Sequence, residues 1–137
     1  ARTDDVINMA GHRISTGALE EACAAHPEVV EVAVFGVHCA LKGEVPLALL
    51  VTAAGAEDDA VIASAAGLVR ERVGAFASLG GAAVVAALPK TRSGKILRSS
   101  MRAIADSKSY KLPGTIEDAS VIDDHIVPAL KSLGYAA

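Results

Sequence analysis

Two apolar, β-branched runs, Val29 to Val37 and Val45 to Thr52, constrain the fold of this chain more than any other feature. Each has the length and composition of a strand, and the polar turn around Lys42-Gly43 makes them neighbours. The second run is apolar on both faces, which predicts a central strand covered on either side. The remaining elements arrange themselves around this pair. Asp5 to Ala10 alternates polar and apolar residues as a short strand ending at the turn signal Gly11. Ser15 or Thr16 can N-cap a helix whose apolar face carries Ala18, Leu19, Ala22 and Cys23, with Glu20 and Glu21 pointing outward and Pro27 ending it. Ala60 to Val73 sets Val61, Ile62, Ala65, Leu68, Val69 and Val73 at helical spacing, with Arg70 and Arg72 off the stripe. A third strand fits Ala82 to Ala86, a helix fits Leu97 to Ala105, and a Pro113-Gly114 turn and an acidic stretch precede a last helix of about residues 120–133. The fold class expected is α+β: a small sheet of about three main strands plus a short N-terminal hairpin, flanked by helices.

One domain is what 137 residues can hold. Apolar residues make up 52% of the chain but aromatics only 3%, so the core is built from Ala, Val, Leu and Ile. Stacking bases on aromatic rings is nearly unavailable, and the net charge of -3 argues against a general binder of nucleic acid. Cys23 and Cys39 make no disulfide framework and read as structural thiols of a reducing compartment. His12, His26, His38 and His125 are scattered, and no metal site is expected. The longest uncharged run, Val73 to Pro89, is 17 residues and is broken by glycines, short of a membrane-spanning helix. With no signal-peptide pattern, the expectation is a soluble intracellular chain.

The charge is unevenly placed. From Lys90 to Lys111 there are seven Lys or Arg and one acid, a segment of +6 within a chain of -3. For Lys108 and Lys111 a solvated face is the simple account. The loop 89–98 reads P-K-T-R-S-G-K-I-L-R and gathers Lys90, Arg92, Lys95 and Arg98 around a Ser93-Gly94 step. A like-charge contact at about 4 Å costs roughly 4 kcal/mol at an effective dielectric near 20. Such a loop is expected to deliver its charge to something negative. It is not a P-loop: Pro89 stands where the first glycine belongs, and Ile96 follows Lys95 where a hydroxyl residue would hold magnesium. Lys95 reads instead as a mobile point charge. At the start, R-T-D-D-V-I-N-M-A-G-H-R-I places Arg2 and Arg13 about a strand. For Arg2, Asp4 and Asp5 alone, an exposed salt-bridged segment explains the residues. No Ser-His-Asp, Cys-His or paired-carboxylate arrangement is evident.

These two constellations, in this order and at this distance, resemble the C-terminal domain of the acyl-adenylate-forming enzymes, within them the short-chain acetyl- and propionyl-CoA synthetases. R-T-D-D-V-I-N-M-A-G-H-R-I-S is similar to that family's hinge motif and L-P-K-T-R-S-G-K-I-L-R to its lysine motif. H-P-E-V-V-E-V-A-V-F-G-V and L-K-G-E-V-P are also family-like. The resemblance covers most of residues 2–105, and the tail Y-K-L-P-G-T-I-E-D-A-S-V-I is nearer to propionyl-CoA synthetases. Residue 1 is Ala where the family has Gly.

The resemblance implies a C-terminal mobile domain over 1–137, hinged at about 2–5, with its N-terminal domain as partner in a longer enzyme. That enzyme would join a small carboxylate, propionate first and acetate next, to CoA through an acyl-adenylate. ATP with Mg2+ and CoA would be its substrates, no cofactor would be bound by this domain alone, and the isolated domain would be inactive. Residue by residue, Lys95 resembles the adenylation lysine and Asp4 the hinge pivot. Arg2 and Arg13 resemble arginines at the nucleotide ribose and phosphate. Ala10 and Gly11 match the strand edge lining the CoA tunnel, and Arg70 aligns with an arginine near the CoA nucleotide. Reversible acylation of Lys95 by a lysine acyltransferase and deacylase is implied too, as is a cytoplasmic or mitochondrial-matrix location. The alternatives are a non-catalytic anion-binding or interaction module using loop 90–102, and a carrier-protein-dependent adenylation domain.

Overall fold

The computed structural model describes residues 6–9, 12–39, 43–74, 79, 81–106, 116–118 and 120–135, with Val6, Asn8, Met9, His12, Cys39 and Ser99 described by backbone alone. An N-terminal hairpin of β1 (Val6–Met9) and β2 (His12–Ser15) leads into α1 (Thr16–Ala24). The two apolar runs then form the antiparallel pair expected of them, β3 (Val29–Cys39) and β4 (Gly43–Thr52), in register from Cys39 opposite Gly43 to Glu31 opposite Val51. β4 is indeed central. Its other edge meets β1 through Met9 opposite Gly43, and then β5 (Gly81–Val84), which pairs in parallel from Leu47 opposite Gly81 to Leu50 opposite Val84. A parallel pair needs a long crossover, and α2 (Asp58–Arg72) supplies it. The architecture is α+β, as the sequence predicts. β5 ends two residues earlier than expected, at Val84.

A proline inside a central strand needs a reason, because it cannot donate to a ladder. The N–H of Val34 and that of His38 both turn away from β4 to carboxylates, so Val34, Gly36 and His38 form the pairs that exchange no backbone hydrogen bond. Pro46, opposite Gly36, therefore directs its missing donor away from β3. On that side it falls between the β1 contact at Gly43 and the β5 contact beginning at Leu47, where no ladder bond is asked of it.

Helices cover both sheet faces. Glu44 and Leu47 lie an odd number of residues apart on β4 and so face opposite ways. Arg102 of α3 (Arg98–Ala105) pairs with Glu44, while Leu47 packs by Gly81 near Leu133 at the chain's last helix. Phe35, Ile7, Leu19, Leu47, Leu49, Leu50, Met101, Ile122, Ile126 and Leu130 are among the largest fully buried side chains of the core. At Gly36 a side chain would meet Ile7 at 3.1 Å, so the glycine lets the N-terminal hairpin lie directly on β3.

Local signals explain the helix ends. The Ala18 N–H donates to Ser15 Oγ, the predicted cap of α1. The final helix departs from a simple reading: a π-helical turn, Ile122–Ile126, precedes α4 (Val127–Ser132). Pro128 accounts for it. Its ring crowds the carbonyl four residues back and it has no N–H to offer, and a widened turn absorbs the mismatch. Ile122, Ile126 and Leu130 still share one buried face. Gly134, at φ +90°, closes the helix with its N–H on the Lys131 carbonyl and that of Tyr135 on Leu130. The expected Pro113-Gly114 turn, Lys108 and Lys111 lie outside the described residues. No described helix is long and apolar enough to cross a membrane.

Candidate active-site loop

The basic loop is a built turn and not a floppy one. Lys90 and Ile96 bridge as antiparallel partners, the Thr91 N–H donates to the Lys95 carbonyl at 2.9 Å, and the Gly94 N–H donates to the Thr91 carbonyl at 2.9 Å. Gly94 sits at φ +92°, the left-handed region that costs other residues about 1–2 kcal/mol. This is the pattern of a short hairpin loop closed by a glycine bulge. Thr91 is buried, and its hydroxyl meets both Ser93 Oγ at 2.9 Å and the Lys95 N–H at 3.2 Å. The stem is tied further by Thr91 bridging Ile116 and by the Glu117 N–H on the Lys90 carbonyl. Ser93-Gly94 thus belongs to a hydrogen-bonded turn, and Lys95 carries an exposed side chain on a backbone whose N–H and carbonyl are both bonded to Thr91.

Part of the loop's charge meets its negative partners within the domain itself. Lys90 Nζ pairs with Glu31 Oε1 on β3. Arg98 makes a fork on Glu20, with Nε 2.6 Å from Oε2 and Nη2 2.5 Å from Oε1. Arg102 pairs with Glu44, and its Nε lies 3.9 Å from Asp106. Repulsion at the base of the loop is answered inside the domain. Arg92 and Lys95 remain, both exposed at the tip and without an ion pair among the described residues. The positive charge that this loop leaves available to a ligand is two groups held three residues apart on one turn.

The outward placing of Glu20 is corrected. It is half-buried, and its Oε2 also accepts the Val34 N–H at 2.8 Å. Glu21, its neighbour, is exposed as expected. Glu20 is the functional candidate that the sequence conceals. Its partners lie 14 and 78 residues away, and no local pattern announces them.

Of the other predicted site residues, Arg13 lies on β2 opposite Asn8 and is exposed. Arg70 is exposed on the last turn of α2 and, with Ala63, Ala66, Gly67 and Leu79, surrounds a shallow cavity of about 340 Å³. Lys95, Arg13 and Arg70 thus stand on three separate elements. Arg2, Asp4, Ala10 and Gly11 lie outside the described residues. Cys23 is on the buried face of α1, and burial, helped by the negative charge of Glu20, pushes its thiol up to about 11.

Comparison with known proteins joins these features to a family. The AMP-binding enzyme C-terminal domain matches residues 18–95, more than half of the chain. Human mitochondrial acyl-CoA synthetase short-chain family member 3 is 47% identical over 133 residues, covering 96% of this chain and 19% of its own length. The propionate–CoA ligase of Escherichia coli K12 is 40% identical over 132 residues, covering 89% of this chain and 20% of its own. Among solved structures, the Brucella canis acyl-CoA synthetase superposes with a TM-score of 0.69 at 38% identity, over 74% of this chain and 19% of that one. The chain spans about one fifth of the length of the curated relatives it matches. With its turn-borne lysine on a sheet-and-helix domain, the chain belongs to the AMP-binding enzyme C-terminal domain family.

Proposed function

We propose that this domain serves an AMP-forming short-chain acyl-CoA synthetase, with propionate the first substrate and acetate the next. One observation carries the reading: the domain neutralises Lys90, Arg98 and Arg102 with its own carboxylates and leaves Arg92 and Lys95 exposed on a rigid turn. A relative named propionate–CoA ligase supports the choice of acid. In the first half-reaction a carboxylate oxygen attacks the α-phosphorus of ATP, supplied with Mg2+, and the bond to pyrophosphate breaks. Lys95 meets the negative charge that builds between carboxylate and α-phosphate, and an interaction of this kind is worth about 10²–10³ in rate. Holding the backbone on both sides of Lys95 lowers the cost of placing its ammonium.

In the second half-reaction the CoA thiol attacks the acyl carbonyl and AMP leaves. The domain pivots at Asp4 between the two steps. Ala10 and Gly11 then line the passage for the pantetheine arm. Arg2 and Arg13 serve the adenosine nucleotide. Arg70 serves the CoA nucleotide, and the small residues beside it leave room for a flat base. A non-catalytic module gripping a polyanion through loop 90–102 draws less support, because three of the five cations there already have carboxylate partners.

Lys95→Ala in the complete enzyme tests the reading, with the half-reactions assayed apart. ATP–pyrophosphate exchange with propionate is expected to fall about 10²–10³-fold while CoA still captures supplied propionyl-adenylate. Exchange that survives the substitution would remove Lys95 from adenylation.

A further inference from the structure

The stem of the lysine turn is riveted by an acid that no local motif predicts. Arg98 is the first residue of α3, three positions after Lys95, and its guanidinium is held by both oxygens of Glu20. Glu20 is itself fixed. It projects from the middle of α1, and its Oε2 accepts the Val34 N–H of the edge strand β3 at 2.8 Å. Three N–H groups from two elements therefore converge on one half-buried carboxylate. A forked arginine–carboxylate contact constrains orientation as well as distance. The opposite leg is pinned by Lys90 on Glu31, and the Leu97 N–H closes the base on the Pro89 carbonyl at 3.0 Å. The Glu20 contact is the more buried and the more directional of the two.

We propose that Glu20 is a positioning residue of the adenylation step: through Arg98 it sets where the lysine turn stands on the domain, and so where the Lys95 ammonium arrives. This rests on the reading of Lys95 given above. The physical ground is that electrostatic help to a transition state depends on preorganisation, and a misplacement of about 1 Å can cost on the order of 10²-fold. Among the described residues Glu20 bonds the Arg98 guanidinium and the Val34 N–H. Arg13 stands on β2 and Arg70 on α2, and neither shares a bond with Glu20 among the described residues.

The test is Glu20→Gln in the complete enzyme, which keeps an oxygen for the Val34 N–H but removes the charge that forks Arg98. Propionate-dependent ATP–pyrophosphate exchange is expected to lose about 10- to 100-fold in kcat. KM for ATP should change little, and capture of supplied propionyl-adenylate by CoA should be unchanged. A merely structural role would lower both half-reactions together, and that result overturns the proposal. The second arm combines Glu20→Gln with Lys95→Ala. If Glu20 acts through Lys95, the double variant is no slower in exchange than Lys95→Ala alone; multiplying losses would overturn the assignment. The two readings also separate. Exchange lost in Lys95→Ala but intact in Glu20→Gln sinks this inference only, whereas exchange intact in Lys95→Ala sinks both.

Discussion

Cys23 shows how one residue ties stability to pH. Its thiol is buried, and removal from water, with Glu20 nearby, moves it from an ordinary value of 9.0 to about 11. The folded chain therefore keeps this proton to higher pH than the unfolded chain does. Below pH 9 both states hold it, and the contribution to stability is fully present. Between about pH 9 and 11 the unfolded chain gives it up first, and stability falls. Urea midpoints at the two ends of that window should show the wild type losing on the order of 1–2 kcal/mol more than Cys23→Ala. Equal slopes for the two proteins would mean that the thiol titrates normally. The sequence already placed Cys23 on an apolar helix face; what it hid was the acid beside it, which belongs to the same helix but was read as facing water.

At the scale of elements, the edge strand β3 is the point of interest. An unprotected edge presents free N–H groups that invite another strand. Here carboxylates take two of them: Glu20 accepts from Val34, and Asp106, the residue that ends α3, accepts from His38 at 2.9 Å. Asp106→Ala should cost about 1–2 kcal/mol, and Asp106→Asn, which keeps the accepting oxygen, less. Hydrogen exchange at the His38 amide should speed up in the alanine variant and not at Val34, and acceleration of both amides would point to general loosening of the strand. Strands and helices were legible in the sequence because their periodicity is local: the β3–β4 pair, the stripe of α2 and the Ser15 cap stand where the residues place them. The clamps were not legible, since Glu31 and Lys90 lie 59 residues apart and Glu44 and Arg102 lie 58 apart. The π-helical turn before Pro128 was a missed local signal, a proline within an otherwise clean helical stripe.

The whole molecule divides its charge economically. Of the seven cations in the segment that sums to +6 in the sequence, Lys90, Arg98 and Arg102 have carboxylate partners in space, and Arg92 and Lys95 stand exposed at the tip of the turn. Composition could not reveal this, because it counts charges without pairing them. The order in which contacts close along the chain carries a last consequence. β3 and β4 are close in sequence and run together for ten pairs, whereas β5 reaches the sheet only after the fifteen residues of α2, and the tail packs last in sequence. Loops that close early cost little entropy, so the β3–β4 hairpin is expected to lead the folding reaction and the tail to follow it. In stopped-flow experiments Leu49→Ala should then slow refolding, while Leu130→Ala should chiefly hasten unfolding. The reverse assignment would place the nucleus at the tail. A scaffold assembled in that order has its sheet in place before the lysine turn is pinned to it, so the turn folds onto a finished frame.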